Sequence, residues 1–140
     1  MSSNARNEEF LRGLGADETL EYGMLESYQG AFDVIIDVVW GAVLAKCWDY
    51  VKQTGVLVSV DFASYNFVEE HEKRGIRKNS VRALFFIVEG SSEALHYLAE
   101  LVDRGTVQSV VGTCPLLKAQ EAHDHANGRY SGRAKFVLTV

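Results

Sequence analysis

Four histidines, His71, His96, His123 and His125, are the side chains of this sequence best suited to moving a proton near neutral pH. His123 and His125 stand with Glu121 and Asp124 in the densest ionisable cluster of the chain. Residues two apart on a helix point to different faces, which argues against a joint metal site, and no metal is expected. His71 lies in Glu69-Glu70-His71-Glu72-Lys73-Arg74, which reads as part of a solvated loop, and His96 falls on the outer side of its predicted helix. Asp37 and Asp61 stand at the ends of predicted strands. Burial at such a place moves a carboxylate towards the range useful for acid–base work. With Tyr65 and His123 they are the catalytic candidates for proton transfer. Cys47 shares an apolar helix face with Trp48, where a thiol is usually buried and inert.

These residues need a scaffold, and the hydrophobic pattern supplies one. Phe32 to Val39 is a nearly continuous β-branched run, the kind buried on both faces of a parallel sheet. Ala42 to Gln53 reads as a helix, with Val43, Leu44, Cys47, Trp48 and Val51 at helical spacing and Gly55 as its stop. Val56 to Phe62 is the next strand, so the three elements form a βαβ unit. Before them, Asn7 to Leu14 reads as a helix, Thr19 to Tyr22 as a short strand and Met24 to Tyr28 as a helical turn. After them, Glu69 to Asn79 reads as a charged loop and Val81 to Val88 as an apolar strand. Ser92 to Arg104 is an amphipathic helix whose Ala94, Leu95, Leu98, Leu101 and Val102 should point inward. Strands are predicted over Val107 to Val111 and Lys135 to Val140. Between them a helix runs from Leu117 to Ala126, entered through Pro115. Alternating strands and helices predict an α/β fold in a single domain over residues 1–140.

Composition narrows the function classes. The 140 residues are 47% hydrophobic and 24% charged, enough apolar material for a core. A formal net charge of -5 gives no general attraction to nucleic acid or to an anionic membrane. No run of about 18 apolar residues is present to span a bilayer. Met1 to Glu9 lacks the apolar stretch of a signal peptide. Two distant cysteines, Cys47 and Cys114, suggest free thiols and a cytoplasmic protein.

Several segments, in order, resemble one family. Ala5-Arg6-Asn7-Glu8-Glu9-Phe10, followed by Leu14-Gly15-Ala16-Asp17-Glu18 and Tyr22, is similar to the second βα segment of quinone oxidoreductases of the medium-chain dehydrogenase/reductase superfamily. Phe32-Asp33-Val34-Ile35-Ile36-Asp37 and Gly55-Val56-Leu57-Val58-Ser59 are similar to the two strands that follow. Leu101 to Gly105, Pro115-Leu116, Glu121-Ala122-His123 and Lys135 to Val140 resemble the C-terminal run. The resemblance implies a partial Rossmann-like, mostly parallel sheet flanked by helices. It also implies NADPH-dependent reduction of an enone or quinone. Carried over residue by residue, Ser3, Arg6 and Tyr22 would meet the adenosine 2′-phosphate, since Arg offers a charge-assisted fork. Val38 and Val39 would line the cofactor ribose, and Phe85 and Phe86 would approach the nicotinamide.

The departures are equally specific. The N-terminal lobe, the first nucleotide-binding strand and the glycine-rich turn that holds pyrophosphate are not in these residues. Gly13-Leu14-Gly15 follows a helix rather than a strand and does not replace that turn. The chain is therefore expected to begin after the dinucleotide loop, as a truncated relative. Two other readings follow. One is a redox-neutral isomerase, cyclase or dehydratase working through Asp37, Asp61, His123 and Tyr65 on a hydrophobic small molecule. The other is a non-catalytic assembly module. An uncovered sheet edge predicts a homodimer through Val81–Val88 or Lys135–Val140.

Overall fold

The computed structural model describes residues 2–3, 7–108, 111–127 and 135–140. Two compact units divide the chain, Met1–Gly90 and Ser91–Val140.

The first unit is organised by three parallel strands. Strand β1 (Ser2–Ser3), helix α1 (Glu8–Gly13) and strand β2 (Leu20–Glu21) come first, with β1 and β2 forming a short parallel pair. A 3-10 turn over Tyr22–Ser27 leads to β3 (Phe32–Asp37), α2 (Gly41–Tyr50) and β4 (Val51–Ser59). A second 3-10 turn (Phe62–Ser64), α3 (Phe67–Lys73) and β5 (Arg82–Phe85) follow. Strands β3, β4 and β5 lie side by side in that order, with Asp37 opposite Ser59 and Ser59 opposite Phe85 at their carboxyl ends.

Helix α2 forms because Leu44, Cys47 and Trp48 recur on one face, and all three are buried. The helix ends at Tyr50, earlier than the sequence pattern indicates, and Val51 enters β4 with no loop between. Gly55 is not the helix stop. It lies within β4, beside the register shift between Phe32 and Val34. A Cβ there would sit 2.7 Å from Val51 Cγ2 and 2.8 Å from the Asp33 carbonyl oxygen, so only glycine lets the irregular strand pass so close to β3.

The core is Leu44, Cys47, Trp48, Val51, Leu57 and Phe67, closed by Val81. Each of its large side chains contributes roughly 1.5–3 kcal/mol by leaving water. Helix α3 corrects the loop expected over 69–79. Phe67 and His71, one turn apart, are both buried, while Glu69, Glu70 and Glu72 face water. His71 is thus a core residue, not a solvated one. Val34 and Ile36 on β3 are exposed, so within the first unit the strand is covered on one face rather than two.

The second unit holds α4 (Ser92–Asp103), β6 (Val111–Pro115), α5 (Ala119–Asn127) and β7 (Lys135–Thr139). Ser91 caps α4 by accepting the Ala94 N–H at 3.1 Å. Leu95, Leu98 and Val102, expected to point inward, are exposed, and none of the helix is fully buried. Strand β6 lies later than expected, over 111–115. Val107 is in a bend, and residues 109–110 lie outside the described set. Pro115 closes β6 opposite Thr139, where β6 and β7 run parallel. A 3-10 turn over Leu116–Lys118 then leads into α5, which buries Ala122.

Candidate functional site

In open parallel sheets, ligands bind beyond the carboxyl ends of the strands. In the first unit that edge is where β3, β4 and β5 release Val38-Val39-Trp40, Val60-Asp61-Phe62 and Phe86-Ile87-Val88. All but Asp61 are large and apolar, and all of those are exposed.

Asp37, the last residue of β3, is buried beneath this edge. Its carboxylate accepts the Val39 N–H at 3.3 Å and the Trp40 N–H at 3.1 Å, so it grips the turn that follows its own strand. It also accepts the Ser59 hydroxyl at 3.1 Å from β4. Ser59 Oγ lies 2.6 Å from Ser64 Oγ, which in turn is 2.7 Å from the Asp61 carbonyl oxygen. Asp61 accepts the Ala63 N–H at 2.9 Å and so caps the short 3-10 turn. One buried network therefore ties together the turns after β3 and β4. Tyr65 leaves the second turn exposed, stacked on Phe62 with ring centroids 6.1 Å apart.

The structure thus links the Asp37 carboxylate to the backbone carbonyl of Asp61, whose own carboxylate is engaged by the Ala63 N–H, with Tyr65 beside it. Val38 and Val39 are exposed on the turn that Asp37 holds, Phe85 ends β5 half-buried, and Phe86 is exposed just beyond it. His123 belongs to α5 of the second unit, on an exposed position. Of the residues expected to meet the 2′-phosphate, Arg6 lies outside the described residues. Ser3 is placed on β1 and Tyr22 at the start of a 3-10 turn, in backbone only.

Three residues of this site were missed in the sequence. Ser59 shares the inward parity of Leu57, and that alternation is a signal that could have found it. Ser64 carries no such signal. Trp40 is the only non-glycine described residue with positive φ, at φ 59° and ψ -170°. No sequence pattern announces a tryptophan in a region that is essentially reserved for glycine.

Two further ionisable groups are set by the core. Burial, and secondarily the Asp37 charge, push the Cys47 thiol up to about 12, and its Sγ donates to the Val43 carbonyl at 3.3 Å. It is no nucleophile at neutral pH. Trp48 Nε1 donates to His71 Nδ1 at 2.7 Å, and burial, followed by the nearby Arg74, lowers the His71 pKa.

Comparisons with known proteins agree on one lineage. A family model described as zinc-binding dehydrogenase matches residues 14–135. A "probable zinc-binding oxidoreductase, mitochondrial" of Arthroderma benhamiae is 31% identical over 142 residues, covering 96% of this chain and 41% of that protein. The quinone oxidoreductase of Coxiella burnetii superposes with a TM-score of 0.80 at 29% identity, covering 99% of this chain and 44% of its own. A thermostable alcohol dehydrogenase of Pyrobaculum aerophilum superposes at 0.73 with 16% identity, over 99% of this chain and 41% of its own, a likeness of fold alone. The chain therefore spans less than half the length of the relatives it matches.

Proposed function

This chain belongs to the zinc-binding dehydrogenase family of medium-chain dehydrogenases/reductases, and from that premise we propose that it serves the NADPH-dependent reduction of an enone or quinone. The observation that carries the reading is the open carboxyl edge of β3, β4 and β5, where Val38, Val39 and Phe86 stand exposed.

The residues fit the two implied groups unequally. Among the described residues, no three His, Cys, Asp or Glu side chains are grouped to hold a metal ion, and Cys47 is held as a thiol. No step is routed through zinc. The ring end of a nicotinamide dinucleotide fits better. Val38 and Val39 would border its ribose, and Phe85 and Phe86 its nicotinamide. Ser3, Arg6 and Tyr22 would hold the 2′-phosphate. No G-x-G-x-x-G run occurs in these residues, so none of them cradles the pyrophosphate. When bound, the cofactor supplies a hydride, and the protein supplies placement. Asp37 acts at one remove, because its carboxylate is engaged by two backbone N–H groups and a serine hydroxyl rather than aimed at a ligand.

Isothermal titration with NADPH, and with NADH for comparison, tests the reading. Micromolar binding that prefers NADPH supports it, and absence of binding to both removes it for this chain. A homodimer through Val81–Val88 or Lys135–Val140 and a cytoplasmic location belong to the same proposal. Light scattering and imaging decide them, with a monodisperse monomer or mitochondrial import as the opposing results. Among the described residues, no helix is long and apolar enough to cross a membrane.

A further inference from the structure

Trp40 combines two properties that ordinarily exclude each other. Its backbone occupies a conformation essentially reserved for glycine, at φ 59° and ψ -170°. Its side chain is nonetheless the largest of the twenty, and it is 52% exposed. A residue in such a conformation persists only when its surroundings over-determine it. Here the surroundings are visible. The buried Asp37 carboxylate accepts the N–H groups of both Val39 and Trp40, and Ser59 fixes that carboxylate from the neighbouring strand. The fold therefore holds an indole outward at the carboxyl edge of the sheet, where no core gains from it.

The same edge displays other rings. Phe62 is 77% exposed and Tyr65 62%, stacked on each other after β4, and Phe86 after β5 is 51% exposed. Three adjacent parallel strands thus each release an aromatic ring at the same end of one sheet. Scattered exposed apolar residues need no explanation, but a group of large rings at the ligand end of an α/β sheet does.

We propose that Trp40 is a ligand-contacting residue, its indole held outward by the Asp37–Ser59 network so that it stacks on a planar conjugated ring at the carboxyl edge of the three-stranded sheet. Asp37 is its positioning residue. The inference rests on the reductase reading only for the kind of ring, which is quinone-like. It goes beyond that reading in assigning the contact to this residue.

The test uses the whole chain and anthraquinone-2-sulfonate, a soluble flat quinone, followed by calorimetry. Benzenesulfonate, the same anion without fused rings, is the control. The wild type should bind the anthraquinone and not the control. Trp40→Phe should keep binding, while Trp40→Gly should weaken it about three- to tenfold, the size of one aromatic pair. At the same time Trp40→Gly should raise the melting temperature, because glycine adopts the conformation without strain. Gain of stability with loss of binding is a pattern that a merely structural tryptophan would not give. Asp37→Asn should weaken binding and speed hydrogen exchange at the Val39 and Trp40 amides.

No anthraquinone binding by the wild type overturns the proposal, as does equal binding of benzenesulfonate. Unchanged affinity in Trp40→Gly, or a fall in its melting temperature, overturns it too. A parallel NADPH titration separates the two levels. Anthraquinone binding that depends on Trp40, without an NADPH response, supports the ring contact and removes the reductase reading. An NADPH response with anthraquinone binding indifferent to Trp40 does the reverse.

Discussion

Helices α2 and α4 carry the same kind of pattern and meet different fates. On α2, Leu44, Cys47 and Trp48 sink into the core of the first unit. On α4, Leu95, Leu98 and Val102 lie at equivalent helical spacing and remain exposed. Periodicity states which face of a helix is apolar. It does not state what, if anything, covers that face. The first unit has sheet, α2 and α3 converging on Trp48, Leu57 and Phe67. Among the described residues of the second, Ala122 is the one buried apolar side chain.

That contrast can be broken experimentally, most forcefully at Trp48. Trp48→Ala should destabilise the chain by about 3–5 kcal/mol, because it leaves a cavity among Phe67, His71 and Leu44. Urea unfolding measures this, and a loss below about 1 kcal/mol would mean that the core is not where the structure puts it.

His71 gives the next effect. His71→Phe should cost about 1–3 kcal/mol by leaving the Trp48 indole N–H buried without an acceptor. The wild type should also be acid-sensitive in a defined direction. A protonated imidazole has no acceptor for the Trp48 N–H. Burial and Arg74 hold the folded-state pKa of His71 below the ordinary 6.5, so the unfolded chain binds the proton more readily. This part of the stability is complete above pH 6.5 and is lost as the pH falls below it, towards the folded-state pKa. Melting curves from pH 7.5 down to about 5 should show the decline in the wild type and a flatter profile in His71→Phe. A decline equally steep in both proteins would assign the sensitivity to other groups.

The smallest effect belongs to α4. Leu98→Ala on its exposed face should change stability by no more than about 0.5 kcal/mol. A loss several times larger would show that something covers this face in solution, and the contrast with α2 would collapse.

What could be read from the sequence follows from the same physics. The β3–α2–β4 succession was legible because long β-branched and helical runs leave little ambiguity, and the medium-chain lineage was legible from short segments in the right order. Helix α3 was not, because the charged run Glu69 to Arg74 conceals a single pair, Phe67 and His71, one turn apart. Gly55 looked like a helix stop because glycine usually is one. Its actual role, admitting the β3 backbone, is a tertiary contact no local pattern encodes. Asp37 and Asp61 were visible as carboxylates at strand ends. The link from the Asp37 carboxylate through Ser59 and Ser64 to the Asp61 backbone carbonyl was not, since it depends on which strands become neighbours.

The two tryptophans of the chain end up in opposite surroundings. Trp48 is sealed in the core, its indole N–H bound to an imidazole, and Trp40 stands in water at the sheet edge. The protein therefore carries two tryptophan fluorophores that report on different things. Emission from Trp48 is shielded from aqueous quenchers and follows the integrity of the fold and the charge of His71. Emission from Trp40 is open to collision and follows whatever settles on the carboxyl edge. A single quenching titration can thus watch folding and occupancy together, with no label added.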